Sequence, residues 1–109
     1  MQSNLQIVLC SVPDRETAER IATALVDERL AACVNIVPGI TSVYRWREKI
    51  ETGTELLLLI KTGRKTAATL QKRICSLHPY ELPEIIAVPI QEGLRGYLDW
   101  LTDSLGDPA

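Results

Sequence analysis

The stretch 33–62 constrains the fold of this chain more than any other. It reads as two long β-strands folded back on each other: Val34, Ile36, Ile40, Val43, Tyr44 and Trp46 fill one arm, and residues 56–60 fill the second. β-Branched and aromatic side chains suit a pleated, half-buried surface. A polar segment separates the arms, Arg47-Glu48-Lys49 followed by Glu51-Thr52-Gly53, and Gly53 with its polar neighbours is expected to serve the reversal. Strands usually run about 5–6 residues, so these arms are long. A hairpin of this length standing alone would leave apolar side chains and edge hydrogen-bonding groups in water. The rest of the domain, or another subunit, has to cover it.

The remaining chain supplies that cover. Residues 5–10 form a nearly continuous apolar run, as in a strand covered on both faces. Ser11-Val12-Pro13-Asp14 turns the chain into a helix capped near Ser11 or Asp14, with Ala18, Ile21, Ala22, Leu25 and Val26 on one stripe. The second strand begins near Cys33, bends or bulges at Pro38-Gly39 and continues to Trp46. The third runs over about 55–61. A second helix spans roughly 65–77 with Ala67, Leu70, Ile74 and Leu77 inward, and Pro79 stops it. Residues 85–90 form a fourth strand, at an edge or broken at Pro89, which has no N–H for a ladder. A last helix presents Leu94, Tyr97, Leu98 and Leu101 on one face, and the tail from Gly106 is expected to be loose. The order strand, helix, strand, strand, helix, strand, helix predicts an α+β fold. Its first six elements make a ferredoxin-like βαββαβ sandwich, to which a C-terminal helix is added.

Composition narrows the function classes. The 109 residues read as a single domain, 1–109. A net charge of −2 argues against nucleic acid or anionic lipid as a partner. No apolar run approaches the roughly 18 residues of a membrane span, and no basic region precedes an apolar segment as in a signal peptide. Three cysteines without close pairing argue against a disulfide scaffold and for a reduced, cytoplasmic setting.

Three groups of residues carry possible chemistry. Cys10, Cys33, Cys75 and His78 are the only thiols and the only imidazole. Thiolate and imidazole suit copper and zinc, yet cysteine is also a small buried hydrophobe in many cores. Glu81 and Glu84 flank Leu82-Pro83 in a proline-stiffened loop, placed to bind a cation, to exchange protons, or merely to face water. Tyr44 and Trp46 share one strand face, and Lys61 closes the second arm. Such an aromatic–basic surface either holds a ligand or packs against another subunit. No nucleophile elbow, P-loop or HExxH arrangement marks an enzyme.

Read together, Val12-Pro13-Asp14, Leu30-Ala31-Ala32-Cys33-Val34-Asn35, Pro38-Gly39-Ile40-Thr41-Ser42-Val43-Tyr44, Trp46, Lys49, Leu59-Ile60-Lys61-Thr62, His78-Pro79-Tyr80-Glu81, Pro83-Glu84 and Tyr97-Leu98-Asp99-Trp100-Leu101 resemble the CutA divalent-cation tolerance proteins. The resemblance implies a ferredoxin-like subunit in a homotrimer similar to PII signalling proteins. It also implies bacterial cytoplasmic residence and a non-enzymatic role in tolerance of copper and other divalent cations. It places copper binding on Cys10 and His78. Two positions depart from the pattern: Leu77 stands where some members have a second histidine, and Glu48 where many have a glycine at the hairpin tip. The alternative the resemblance carries is a PII-like sensor of a small anionic ligand held between subunits near Tyr44, Trp46 and Lys61. A trimer that anchors an unidentified protein partner is a third class.

Overall fold

The computed structural model describes residues 4–106, so the tail expected to be loose lies, beyond Gly106, outside the described residues. Eight elements follow in order: β1 (Leu5–Val12), α1 (Arg15–Asp27), β2 (Cys33–Trp46), β3 (Lys49–Gly63), a 3-10 turn (Arg64–Thr66), α2 (Ala67–Leu77), β4 (Ile86–Pro89) and α3 (Arg95–Ser104). The strands form one sheet in the order β2-β3-β1-β4, with every neighbouring pair antiparallel. This is the expected ferredoxin-like arrangement with an added helix. Among the described residues no helix is long and apolar enough to cross a membrane.

Alternation along the strands sorts the side chains onto two faces. Val8, Cys10 and Val12 of β1 and Leu56, Leu58 and Ile60 of β3 point to one side, where α1 and α2 cover them. α1 begins because the Asp14 carboxylate accepts a bond from the Thr17 N–H at 2.8 Å, a bond that holds the Asp14 pKa below the usual carboxylate value. Its Ala18, Ile21 and Leu25 and the Leu70 and Ile74 of α2 then seal the core. Val26, expected on the same stripe, is 43% exposed at the margin of the helix. α1 ends at Asp27 with Glu28 as its cap, and Arg29 just beyond, with a φ of 60°, lets the Leu30 N–H reach back to the Leu25 carbonyl at 2.9 Å.

The hairpin corrects one expectation. The chain reverses at Arg47-Glu48, with φ of 51° and 70°, and Trp46 pairs directly with Lys49. Two consecutive positive φ values make the tight turn whose twist matches the flanking strands. Gly53 therefore lies inside β3, opposite Ser42, and β3 starts at Lys49 rather than near Glu55. Pro38-Gly39 does form a bulge: Val37 pairs with Leu57 and Ile40 with Glu55, so two residues of β2 face one of β3. Gly39 adopts a φ of 73°, and a β-carbon there would meet nothing within 4 Å. Gly39→Ala is thus a pure test of backbone strain. It is expected to lower stability by about 1–2 kcal/mol in a urea titration.

Two further ends differ from expectation. β4 is shorter than 85–90 and is an edge strand, with Pro89 as its last residue opposite Gln6. An edge is where a residue without an N–H costs least. Leu94 stands 78% exposed just before α3 instead of joining its buried face. α3 packs through Leu98 and Leu101 against Leu5, Ala32, Ile90 and Leu105, and so covers only one end of the sheet face that α1 and α2 leave open. The rest of that face, Ile7, Leu9, Leu57 and Leu59 with the exposed Val37, Ile86 and Val88, has no cover among the described residues. The hairpin stretches the molecule to 44 × 25 × 22 Å.

Candidate functional site

The bulge decides where the hairpin aromatics point. Directly opposed residues of an antiparallel pair share a face. Before the bulge the even-numbered Val34 and Ile36 oppose Ile60 and Leu58, on the helix side. After it Ile40, Ser42, Tyr44 and Trp46 oppose Glu55, Gly53, Glu51 and Lys49. One inserted residue has moved Tyr44 and Trp46 onto the face of Glu55.

The loop 78–84 closes this region from the other side. Pro79 ends α2, and His78 caps it through a bond from its N–H to the Ile74 carbonyl at 2.8 Å. The His78 ring is then fixed twice. Its Nδ1 accepts from the Tyr80 N–H at 3.2 Å, which puts the proton on Nε2, and Nε2–H donates to the Ser11 carbonyl at 2.8 Å. Tyr80 stacks obliquely at 4.7 Å from that ring and donates its hydroxyl to Glu55 Oε2 at 2.5 Å. Burial, followed by the bond to and charge of Glu55, raises the Tyr80 pKa above its ordinary value, so the phenol stays protonated as donor. Ser11 Oγ lies 3.5 Å from Glu84 Oε1 as its donor. At the outer rim Arg47 bonds Glu81 at 3.3 Å and lies 5.4 Å from the centre of the Trp46 ring.

Between hairpin and loop lies a cleft of about 660 Å³, within the usual size range of small-molecule sites. Four of the five residues expected at a ligand pocket line it: Tyr44, Trp46, Glu81 and Glu84. Lys61 does not. It sits six positions along β3 from Glu55, about 20 Å at strand rise, where its ammonium bonds Asn35 Oδ1 and lies 6.0 Å from the Tyr97 ring. The lining carries three carboxylates, Glu55, Glu81 and Glu84, and no lysine or arginine, a charge pattern that repels a small anion. Glu55 and Tyr80 escaped the sequence reading. The one available signal was a glutamate at the mouth of an otherwise apolar run, 55–60.

Cys10 and His78 do approach one point: the Cys10 thiol lies 3.9 Å from the Ser11 carbonyl oxygen that also accepts from His78. Their chemistry does not make a preformed copper centre. A thiol must lose its proton to ligate, and Cys10 is fully buried; burial, then the Glu84 charge, pushes its pKa up to about 12. Both His78 nitrogens are already engaged. Among the described residues no three His, Cys, Asp or Glu side chains converge on a common ion position. Cys33 is half-buried and Cys75 exposed, each unpaired by any disulfide.

The comparisons with known proteins agree with one another. The profile of the CutA1 divalent ion tolerance protein family matches residues 6–104. The divalent-cation tolerance protein CutA of Thermus thermophilus is 55% identical over 101 residues, covering 93% of this chain and 98% of that protein. Protein CutA, chloroplastic, of Arabidopsis thaliana is 46% identical over 98 residues, or 90% of this chain, which spans only 54% of that relative's length. The solved structure of the divalent cation tolerance protein from Thermus thermophilus superimposes with a TM-score of 0.92, at 55% identity, over 94% of this chain and 99% of that one.

Proposed function

Because the chain belongs to the CutA1 divalent ion tolerance protein family, we propose that it serves divalent-cation tolerance as a non-enzymatic homotrimer. It meets cations at the corner of the sheet where Ser11, Cys10 and His78 converge. The observation that carries this reading is the shared Ser11 carbonyl, which draws a thiol and an imidazole from residues distant in sequence to one place. The uncovered apolar face of the sheet supports the homotrimer.

Binding through this pair has to displace two protons held in hydrogen bonds, so copper affinity is modest and rises with pH as the Cys10 proton leaves more readily. Calorimetric titration with copper(II) tests it. Wild type is expected to bind more tightly at pH 8 than at pH 6, and Cys10→Ser and His78→Ala each to lose most of that binding. Unchanged copper binding in both variants would return these side chains to a structural role.

A further inference from the structure

The cleft between hairpin and loop has a charge problem that the metal reading does not use. Its rim solves the problem internally: Glu81 has a cation, Arg47, which also covers the Trp46 ring. The other two carboxylates have no such cation. Glu55 is only 8% exposed, yet its side-chain partner is a neutral phenol, Tyr80. Glu84 is exposed, and its side-chain partner is a neutral hydroxyl, Ser11. Among the described residues neither carboxylate has an ion-pair partner. A buried carboxylate without a positive partner is costly, and a ligand cation would relieve it.

The shape of the site says which kind of cation. A hard divalent ion needs several oxygens converging within about 2.0–2.6 Å, and no such cluster exists among the described residues. The cleft instead spreads its carboxylates around about 660 Å³ and walls them with Tyr44, Trp46 and Tyr80, each between a third and a half exposed. Aromatic faces attract organic ammonium groups and cover aliphatic carbon, while carboxylates accept their N–H bonds. The Arg47–Trp46–Glu81 triplet at the rim is an intramolecular instance of that recognition, a nitrogen cation between an aromatic ring and a carboxylate. We propose that the cleft binds a primary alkylamine cation of the polyamine class, with one ammonium between Glu55 and Glu84 and the methylene chain along Tyr44 and Tyr80 toward Trp46. The inference goes beyond the tolerance reading, and copper and amine titrations fail separately.

Spermidine titrated calorimetrically into the full chain near neutral pH tests it, with magnesium chloride as competitor. Saturable binding of one spermidine per chain is expected, resistant to a magnesium concentration of equal charge. Glu84→Gln is expected to weaken it at least about tenfold, the loss of one hydrogen bond to a charged group. Glu84 is exposed, so this variant leaves the core intact; Glu55→Gln is expected to do at least as much. Arg47→Gln, which frees Glu81 and the Trp46 ring, is expected to tighten binding. Absence of saturable binding, displacement by magnesium, or undiminished affinity in Glu84→Gln would each overturn the proposal.

Discussion

Leu58→Ala is expected to destabilise the protein by about 2–5 kcal/mol per chain, the cost of a buried leucine whose site cannot fully collapse. Leu58 is fully buried on the helix-covered face of an inner strand, opposite Cys10 on one side and Ile36 on the other. Ile21 and Leu25 from α1 and Leu70 and Ile74 from α2 belong to the same cluster. Strand pairing on both sides holds the backbone, so the vacated volume can be refilled only by side chains already packed. A urea titration at fixed protein concentration should show a lower midpoint with an unchanged slope. Val26→Ala, on the outer margin of α1, should cost less than about 1 kcal/mol, because 43% of that residue is already in water. Equal losses in the two variants would contradict the core described here.

Those two residues also show what the amino-acid pattern can and cannot reveal. Period-2 alternation on the strands and the stripe Ala18, Ile21, Leu25 on α1 are local signals, and they yielded the element order and the sheet. Val26 lies on the stripe yet outside the core because a stripe has a margin, and the margin depends on how the helix tilts on the sheet. Gly53 drew the reversal toward itself because glycine is the usual carrier of positive φ. The structure places that conformation on Arg47 and Glu48 instead, where strand twist demands it. The cleft was legible in part. Tyr44 and Trp46 were seen to share a face, but which face depends on the bulge at Pro38-Gly39. Membership of the hairpin alone groups Lys61 with them, but strand rise carries it to the far end. The bond from Tyr80 to Glu55 and the meeting of Cys10 with His78 join residues 25 and 68 positions apart; only the family resemblance pointed to the second.

Val88→Asp is expected to turn the proposed homotrimer into monomers. The premise is the sheet face away from α1 and α2. Register places Ile7 beside Val88, Leu9 beside Ile86 and Leu59, and Leu57 beside Val37, which makes a continuous apolar surface. α3 covers only its end at Leu5 and Ala32. Among the described residues β2 and β4 also leave their outer edges unpaired. Symmetric association through these features would bury the face and add strand pairing at an edge. Val88 is 49% exposed in the single chain, so a carboxylate there costs the isolated subunit little. In the assembly each subunit would bring one such charge into a dry interface, at an effective cost of several kcal/mol per ion. Light scattering at micromolar concentration should give about three times 12.1 kDa for wild type and about 12.1 kDa for Val88→Asp, with the helical circular dichroism of the two alike. A wild-type chain that scatters as a monomer would remove the homotrimer, and the apolar face would then require a different occupant.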